Sequence, residues 1–189
     1  IAHKGNVSTV VVHHRIRSLS PTGGASVLKE TMEKSTLRDM LIMYAERIIS
    51  ELHWEGPIMV EFKVDHDTLT PKLMEVNGRF WGSLPLSVRA GGDMPFLYYT
   101  LATKGVVPHG EREVKGGVVT RHFWGDVQHL LRVLFARDPM RPYVYPSRQT
   151  ALRDFFRLPK GTRGDVFSLS DPKPAMMEPW DILRRRKKK

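Results

Sequence analysis

There is no cysteine among the 189 residues, which excludes disulfides, thiolate metal centres and cysteine nucleophiles. No apolar run approaches the roughly 20 residues needed to span a bilayer, and no charged-then-apolar signal segment opens the chain. A membrane partner is therefore not expected, and a cytoplasmic enzyme fits. The phosphate loop GxxxxGK[ST], the dinucleotide glycine fingerprint, HExxH and GxSxG are all missing, and there is no internal repeat. The chain opens on Ile1 rather than methionine, so the expectation is that its true N-terminus lies further upstream.

Acidic charge is also in short supply, with 20 acidic against 30 basic residues and a net charge of +10. A nucleic-acid partner is the first reading of such an excess, because clustered Lys and Arg neutralise phosphates. Six of the cations, however, are the terminal run Arg184–Lys189, and without them the balance is 24 to 20. Aromatics are not interleaved with that run as base stacking requires. The tail reads as a solvated, disordered end, and nucleic acid is not an expected partner.

What is present centres on residues 58–79. Ile58, Val60, Phe62 and Val64 alternate with Met59, Glu61, Lys63 and Asp65, the period of a strand with one buried face. Lys72 to Asn77 alternate in the same way, and the polar residues 66–71 between them suit a hairpin turn. With Asp67-Thr68-Leu69 as the loop, Val64 pairs with Lys72 and Glu61 falls opposite Glu75. Leu73, Glu75 and Asn77 then share one face, and Lys72, Met74 and Val76 the other. Two facing carboxylates repel, so a cation belongs between them. Mg²⁺, which takes hard oxygen ligands, is the natural choice, and Asn77 adds an amide oxygen.

Elsewhere the pattern predicts a strand within 6–17 and a turn at Ser20-Pro21-Thr22-Gly23-Gly24. A helix capped by Ser35 carries Leu37, Met40, Leu41, Tyr44, Ile48 and Leu52. Short helices are predicted over 84–89 and, capped by Asp93 and closed by Gly105, over 94–103. A strand is predicted over 113–123, a helix over 126–137 presenting Val127, Leu130, Leu131 and Leu134 to a core, and a helix over 147–157. From Leu158 onward proline and glycine predict loop or extended chain. The order points to an α+β fold, an antiparallel sheet with helices on one face. The expected division is a unit of residues 1–110 and a C-terminal extension 111–189, with a disordered basic tail over 184–189.

The spacing of Glu61 with Glu75-Val76-Asn77-Gly78-Arg79 resembles the ATP-grasp superfamily, specifically the C-terminal half of its nucleotide-binding unit. The chain looks most like carboxylate-amine ligases similar to the large subunit of carbamoyl-phosphate synthase. Phe80-Trp81-Gly82-Ser83, Ala90-Gly91-Gly92-Asp93 and Pro21-Thr22-Gly23-Gly24 look like blocks that such proteins carry, and the likeness extends over most of the chain. Gly78 departs from it, since many relatives have proline there. The resemblance implies that Glu61, Glu75 and Asn77 ligate Mg²⁺ (or Mn²⁺) on the ATP phosphates and that Arg79 faces an acyl phosphate. The implied activity is an ATP-dependent carboxylate-amine ligase acting on a small carboxylate and a nucleophile. It also implies that phosphate-binding lysines, a glycine-rich loop and the adenine-binding hinge come from an N-terminal ATP-grasp portion or a partner subunit. The alternative is a non-catalytic or split-subunit binding module.

Several residues keep two readings. Lys63, on the Glu61 face, contacts phosphate or closes a cross-strand salt bridge. Arg15 and Arg17 share a strand face and reach the triphosphate or solvent. Gly23 and Gly24 form an anion nest or a plain turn. Asp65 and Trp81 read as structural, and His13, His14, His122 and His129 carry no ligand spacing.

Overall fold

The computed structural model describes residues 1–107, 114–135 and 145–186. The chain divides into two compact units, the first Ile1–His14 with Thr31–Val118 and the second Arg15–Glu30 with Val119–Lys189. The class is α+β. Among the described residues its strands form three small sheets rather than one: β1 (Ala2–His3) with β2 (Asn6–Val7), β5 (Met59–Val64) with β6 (Pro71–Asn77), and a four-stranded sheet of order β3-β4-β7-β8. In the last, β3 is His13–Ser20, β4 Gly23–Thr31, β7 Val119–Arg121 and β8 Arg163–Gly164. Its β7–β8 pair is parallel, a departure from the antiparallel expectation. The β3–β4 hairpin, which sequence order places with the first unit, belongs mostly to the second.

In the first unit, α1 (Thr36–Glu51) starts where expected because the Ser35 side chain accepts the Arg38 N–H. It buries Leu41 and Ile49. Ile49, Ala2 and Ile58 form one core cluster, with Val7, Trp54 and Val60 packed against it. A second cluster of Ile1, Met94, Leu101 and Val107 draws in Phe80, Trp81 and Leu84. It rests on α2 (Leu84–Arg89) and on α3 (Met94–Lys104), which is capped by Asp93 and closed by a left-handed Gly105. Trp81 packs as a core side chain, as its sequence context suggested.

The second unit is built around α4 (Phe123–Phe135), whose buried residues are Gly125, Asp126, His129 and Val133. The expected apolar stripe is displaced, since Leu131 is exposed and two polar side chains point inward. Residues 136 and 137, where that helix was expected to end, lie outside the described residues, as do 108–113, where the first unit was expected to close. The reason for the polar interior is a network drawn from distant strands. Asp126, fully buried, accepts from Arg17 Nη1 at 2.6 and 2.7 Å and from Arg121 Nε at 2.6 Å. His129 Nδ1 lies 2.7 Å from the Ser18 carbonyl, and burial holds its pKa below the ordinary histidine value.

α5 (Arg148–Phe156) falls within the span predicted as helix and is capped by Ser147, whose side chain accepts the Thr150 N–H. The stretch beyond Leu158, expected as loop, instead forms β8 and a 14-residue helix, α6 (Lys173–Arg186). The basic run is therefore helical as far as Arg186, and 187–189 lie outside the described residues. Pro174 sits in the first turn, where its missing N–H is one the helix would leave unbonded anyway. Pro179 is internal and cannot donate to the carbonyl of Ala175. That carbonyl instead accepts the Trp124 indole N–H at 3.1 Å, which ties α6 to α4.

Candidate active site

The β5–β6 hairpin closes on a turn organised by Asp65. Its Oδ1 accepts from the backbone N–H of Asp67 (3.1 Å) and of Thr68 (2.9 Å) and from the Thr68 hydroxyl (3.0 Å). These bonds to the charged form hold the carboxyl below the usual aspartate range, the Thr68 backbone bond contributing most. Asp65 N–H donates to the Thr70 carbonyl at 3.0 Å, and Leu69 takes a left-handed φ of 52° to complete the loop.

Above the turn the register brings Met59 opposite Asn77, Val60 opposite Val76 and Glu61 opposite Glu75. The predicted pairing of the two carboxylates is present. Between Glu61 and Phe62 the register slips by one residue, so Phe62 faces Leu73, Lys63 faces Lys72, and Val64 faces Pro71 instead of Lys72. Met74 is the extra residue of a bulge. Paired residues share a face, so the slip moves Leu73 to the apolar side beside Phe62 and brings Lys72 to the Glu61 side beside Lys63. Sequence alternation had placed both on the opposite faces. The carboxylate pair is thus followed on the same face by a pair of exposed lysines.

Glu75 is exposed and Glu61 half-buried. Asn77 Nδ2 donates to Glu75 Oε1 at 2.8 Å, which orients both side chains toward one another. Arg79 is exposed and gives one donor, Nη1, to the Phe80 carbonyl at 3.1 Å. Glu61, Glu75, Asn77, Arg79 and Lys63 therefore lie in the first unit on one hairpin and the turn that follows it. Among the described residues no group of three or more His, Asp or Glu side chains is placed to hold a metal ion, so a cation here would rest on two carboxylates and an amide.

Gly78, between Asn77 and Arg79, is explained by Trp54. A Cβ at position 78 would overlap the Trp54 indole ring, which is fixed by packing on Ala2, Ile49 and Ile58 and by donating Nε1–H to the Pro57 carbonyl at 3.3 Å. Sequence reasoning noted Gly78 but missed Trp54. Gly78→Ala is expected to destabilise the chain by about 1–3 kcal/mol through overpacking. Urea unfolding should show that loss shrink when Trp54→Leu is added, since the clash then disappears; an undiminished loss would point to a backbone effect instead.

The remaining expected ligands fall in the second unit. Arg17 uses Nη1 on Asp126 and Nη2 on the Asp154 carbonyl at 2.8 Å. It is largely buried, which removes the solvated-face reading. Arg15 Nε donates to Ser26 Oγ at 2.9 Å. Gly23 and Gly24 take φ of 128° and 96°, and no heavy atom lies within 4 Å of a Cβ built at Gly23, so that turn is open and glycine is needed for its backbone alone. His122 and His13 have structural partners: His122 Nδ1 accepts the Gly125 N–H and its other nitrogen pairs with Glu178, and His13 Nε2 meets Ser83 Oγ at 2.9 Å.

Residues 2–123 match the family model described as ATP-grasp in the biosynthetic pathway with Ter operon. The chain belongs to the ATP-grasp family. The match takes in the whole β5–β6 hairpin and the strands β3, β4 and β7 and ends at the first residue of α4, so α4 to α6 lie almost wholly beyond it. No curated protein and no solved structure matches the chain. Membership of this family implies an ATP-dependent ligase.

Proposed function

We propose that the β5–β6 hairpin is the metal and phosphate edge of a ligase that activates a small carboxylate as an acyl phosphate for capture by an amine or other nucleophile. The observation that carries this reading is the direct pairing of Glu61 with Glu75, with Asn77 and Arg79 just beyond, inside the region matched to the ATP-grasp family. The donor set fits a hard divalent ion, since two carboxylates and an amide oxygen are what Mg²⁺ or Mn²⁺ accepts alongside substrate phosphates. When bound, that ion supplies neutralisation of the polyphosphate charge that builds during phosphoryl transfer.

The chain's own groups do the positioning. Glu61 and Glu75 hold carboxylate oxygens side by side, and Asn77 keeps Glu75 oriented. Lys63 and Lys72 place positive charge next to the phosphates. Arg79 has donors left over after its bond to Phe80, arranged in the planar fork that suits an acyl phosphate. In the reaction a substrate carboxylate oxygen attacks the γ-phosphorus and the bond to ADP breaks. The nucleophile then attacks the acyl carbon, phosphate leaves, and the attacking amine gives up a proton. The finer likeness, to the C-terminal half of the unit in carboxylate-amine ligases similar to carbamoyl-phosphate synthase, belongs to this proposal. So does the corollary that adenine-binding elements lie outside these residues.

Hydroxylamine traps acyl phosphates whatever the natural nucleophile. The whole encoded protein, given Mg·ATP, hydroxylamine and a panel of small carboxylates, is expected to form a hydroxamate and ADP in equal amounts. Nucleotide binding with no hydroxamate from any carboxylate would favour a non-catalytic binding module.

A further inference from the structure

The second unit carries an amphipathic helix that the ligase reading does not use. The inward side of α6 is fixed by two polar ties, Trp124 Nε1–H to the Ala175 carbonyl and His122 to Glu178. His122 Nδ1 accepts the Gly125 N–H at 3.1 Å, so the ring proton is on Nε2 and points at Glu178. On the outward side Met176, Met177 and Trp180 are 70, 56 and 63 % exposed. Phe167 and Leu169, just ahead of the helix, are exposed as well.

Residues three or four apart share a helix face, so Met176 and Trp180 align, with exposed Lys173 one turn before and exposed Arg184 one turn after. Arg184 also begins the run of six cations Arg184–Lys189. Large apolar side chains, one of them an indole, thus lie along a helix whose end carries dense positive charge.

We propose that this face of α6 lies on an anionic lipid surface. The chemistry argues for lipid over the other polyanions. Phosphate-backbone binding uses cations and gains nothing from exposed methionines, whereas an interfacial helix needs both an apolar stripe to enter the acyl boundary and cations to meet the headgroups. Tryptophan suits that boundary because its ring is apolar and its N–H polar. Each cation near an anionic leaflet adds about fivefold in affinity, an equivalent of the electrostatic attraction per Lys or Arg at such surfaces. The sequence reading turned away from membranes for want of a spanning apolar run, and no described helix is long and apolar enough to cross one. A helix lying in the interface needs no such length. The Trp124 and Glu178 ties on the opposite side let α6 stay docked to its own unit while its outer face is engaged.

The test is sedimentation of the full chain with vesicles of phosphatidylcholine alone and of phosphatidylcholine with phosphatidylserine. The chain is expected to pellet with the anionic vesicles only. A variant carrying Met176→Ser and Trp180→Ser should bind at least tenfold more weakly with its circular dichroism unchanged. One carrying Arg184→Gln, Arg185→Gln and Arg186→Gln should bind the phosphatidylserine vesicles about a hundredfold more weakly, with Lys187–Lys189 left to supply the residual preference. Equal binding of the serine variant would reduce the effect to tail charge and overturn the interfacial helix. Failure to pellet with either vesicle would overturn it too, and retention of duplex DNA in that case would assign the cations to nucleic acid.

Discussion

Glu75→Gln is expected to lower ATP-dependent ADP release by about a hundredfold or more, the scale seen when one preorganised electrostatic contact to a transferring group is removed. The substitution keeps the side chain's shape and still offers an oxygen to Asn77 Nδ2, so the 2.8 Å bond can persist. What disappears is one negative charge opposite Glu61. That has an opposite consequence for folding. Like charges directly across a ladder destabilise it, and the same variant should be as stable as the parent or more stable, by up to about 1 kcal/mol.

A gain in stability joined to a loss of turnover separates a functional pair from a structural one. If Glu61 and Glu75 merely lined a solvated sheet face, neutralising one would relieve repulsion and leave turnover alone. Glu61→Gln should behave alike, and the double variant should lose little more than either single one, because groups that act as a unit are not additive. Unchanged ADP release in Glu75→Gln, measured where circular dichroism shows the fold intact, would end the metal assignment.

The limits of sequence reading follow from where each determinant lies. The starts of α1, α3 and α5 and the end of α3 were legible because Ser35, Asp93, Ser147 and Gly105 act within one turn of their own position. The Glu61–Glu75 pairing was legible only in part: the expected loop put Val64 opposite Lys72, whereas the turn puts Val64 opposite Pro71, a register that would carry Glu61 to Met74, and the bulge at Met74 restores the carboxylate pair. The bulge itself was not legible, since Leu73 and Met74 are both apolar and no residue type marks the extra one. The inward Asp126 and His129 were also invisible. Burial of a polar group depends on its partners, and these include Arg17 and Ser18, more than 100 residues earlier. α6 was hidden by three prolines near or inside it, one of them compensated by a tryptophan from another helix. Local chemistry was readable, and chemistry borrowed from afar was not.

The same borrowed chemistry sets the largest expected effect on stability. Asp126→Ala should destabilise the chain by about 3–5 kcal/mol, because removing one member of a buried charge network leaves the others uncompensated. Here the remainder would be two guanidinium groups, Arg17 and Arg121, each only about a tenth exposed. Both are pinned by further bonds, Arg17 Nη2 to the Asp154 carbonyl and Arg121 Nη2 to the Phe155 carbonyl at 3.3 Å, and Arg121 also stacks 4.2 Å from the Phe155 ring centroid. Neither can swing out to water without breaking those contacts. Arg17→Met should cost less, since Arg121 and Asp126 remain as a neutral pair, and adding it to Asp126→Ala should recover part of the loss. Urea unfolding measures the size, and hydrogen exchange should place the loss in Arg15–Glu30 and the residues after Val119. A loss below about 1 kcal/mol would mean that the network contributes little beyond what two solvated arginines would. The Arg17→Met variant also decides a matter of function: unchanged Mg·ATP affinity in it would assign Arg17 to holding the second unit together and remove it from the residues expected to reach the triphosphate.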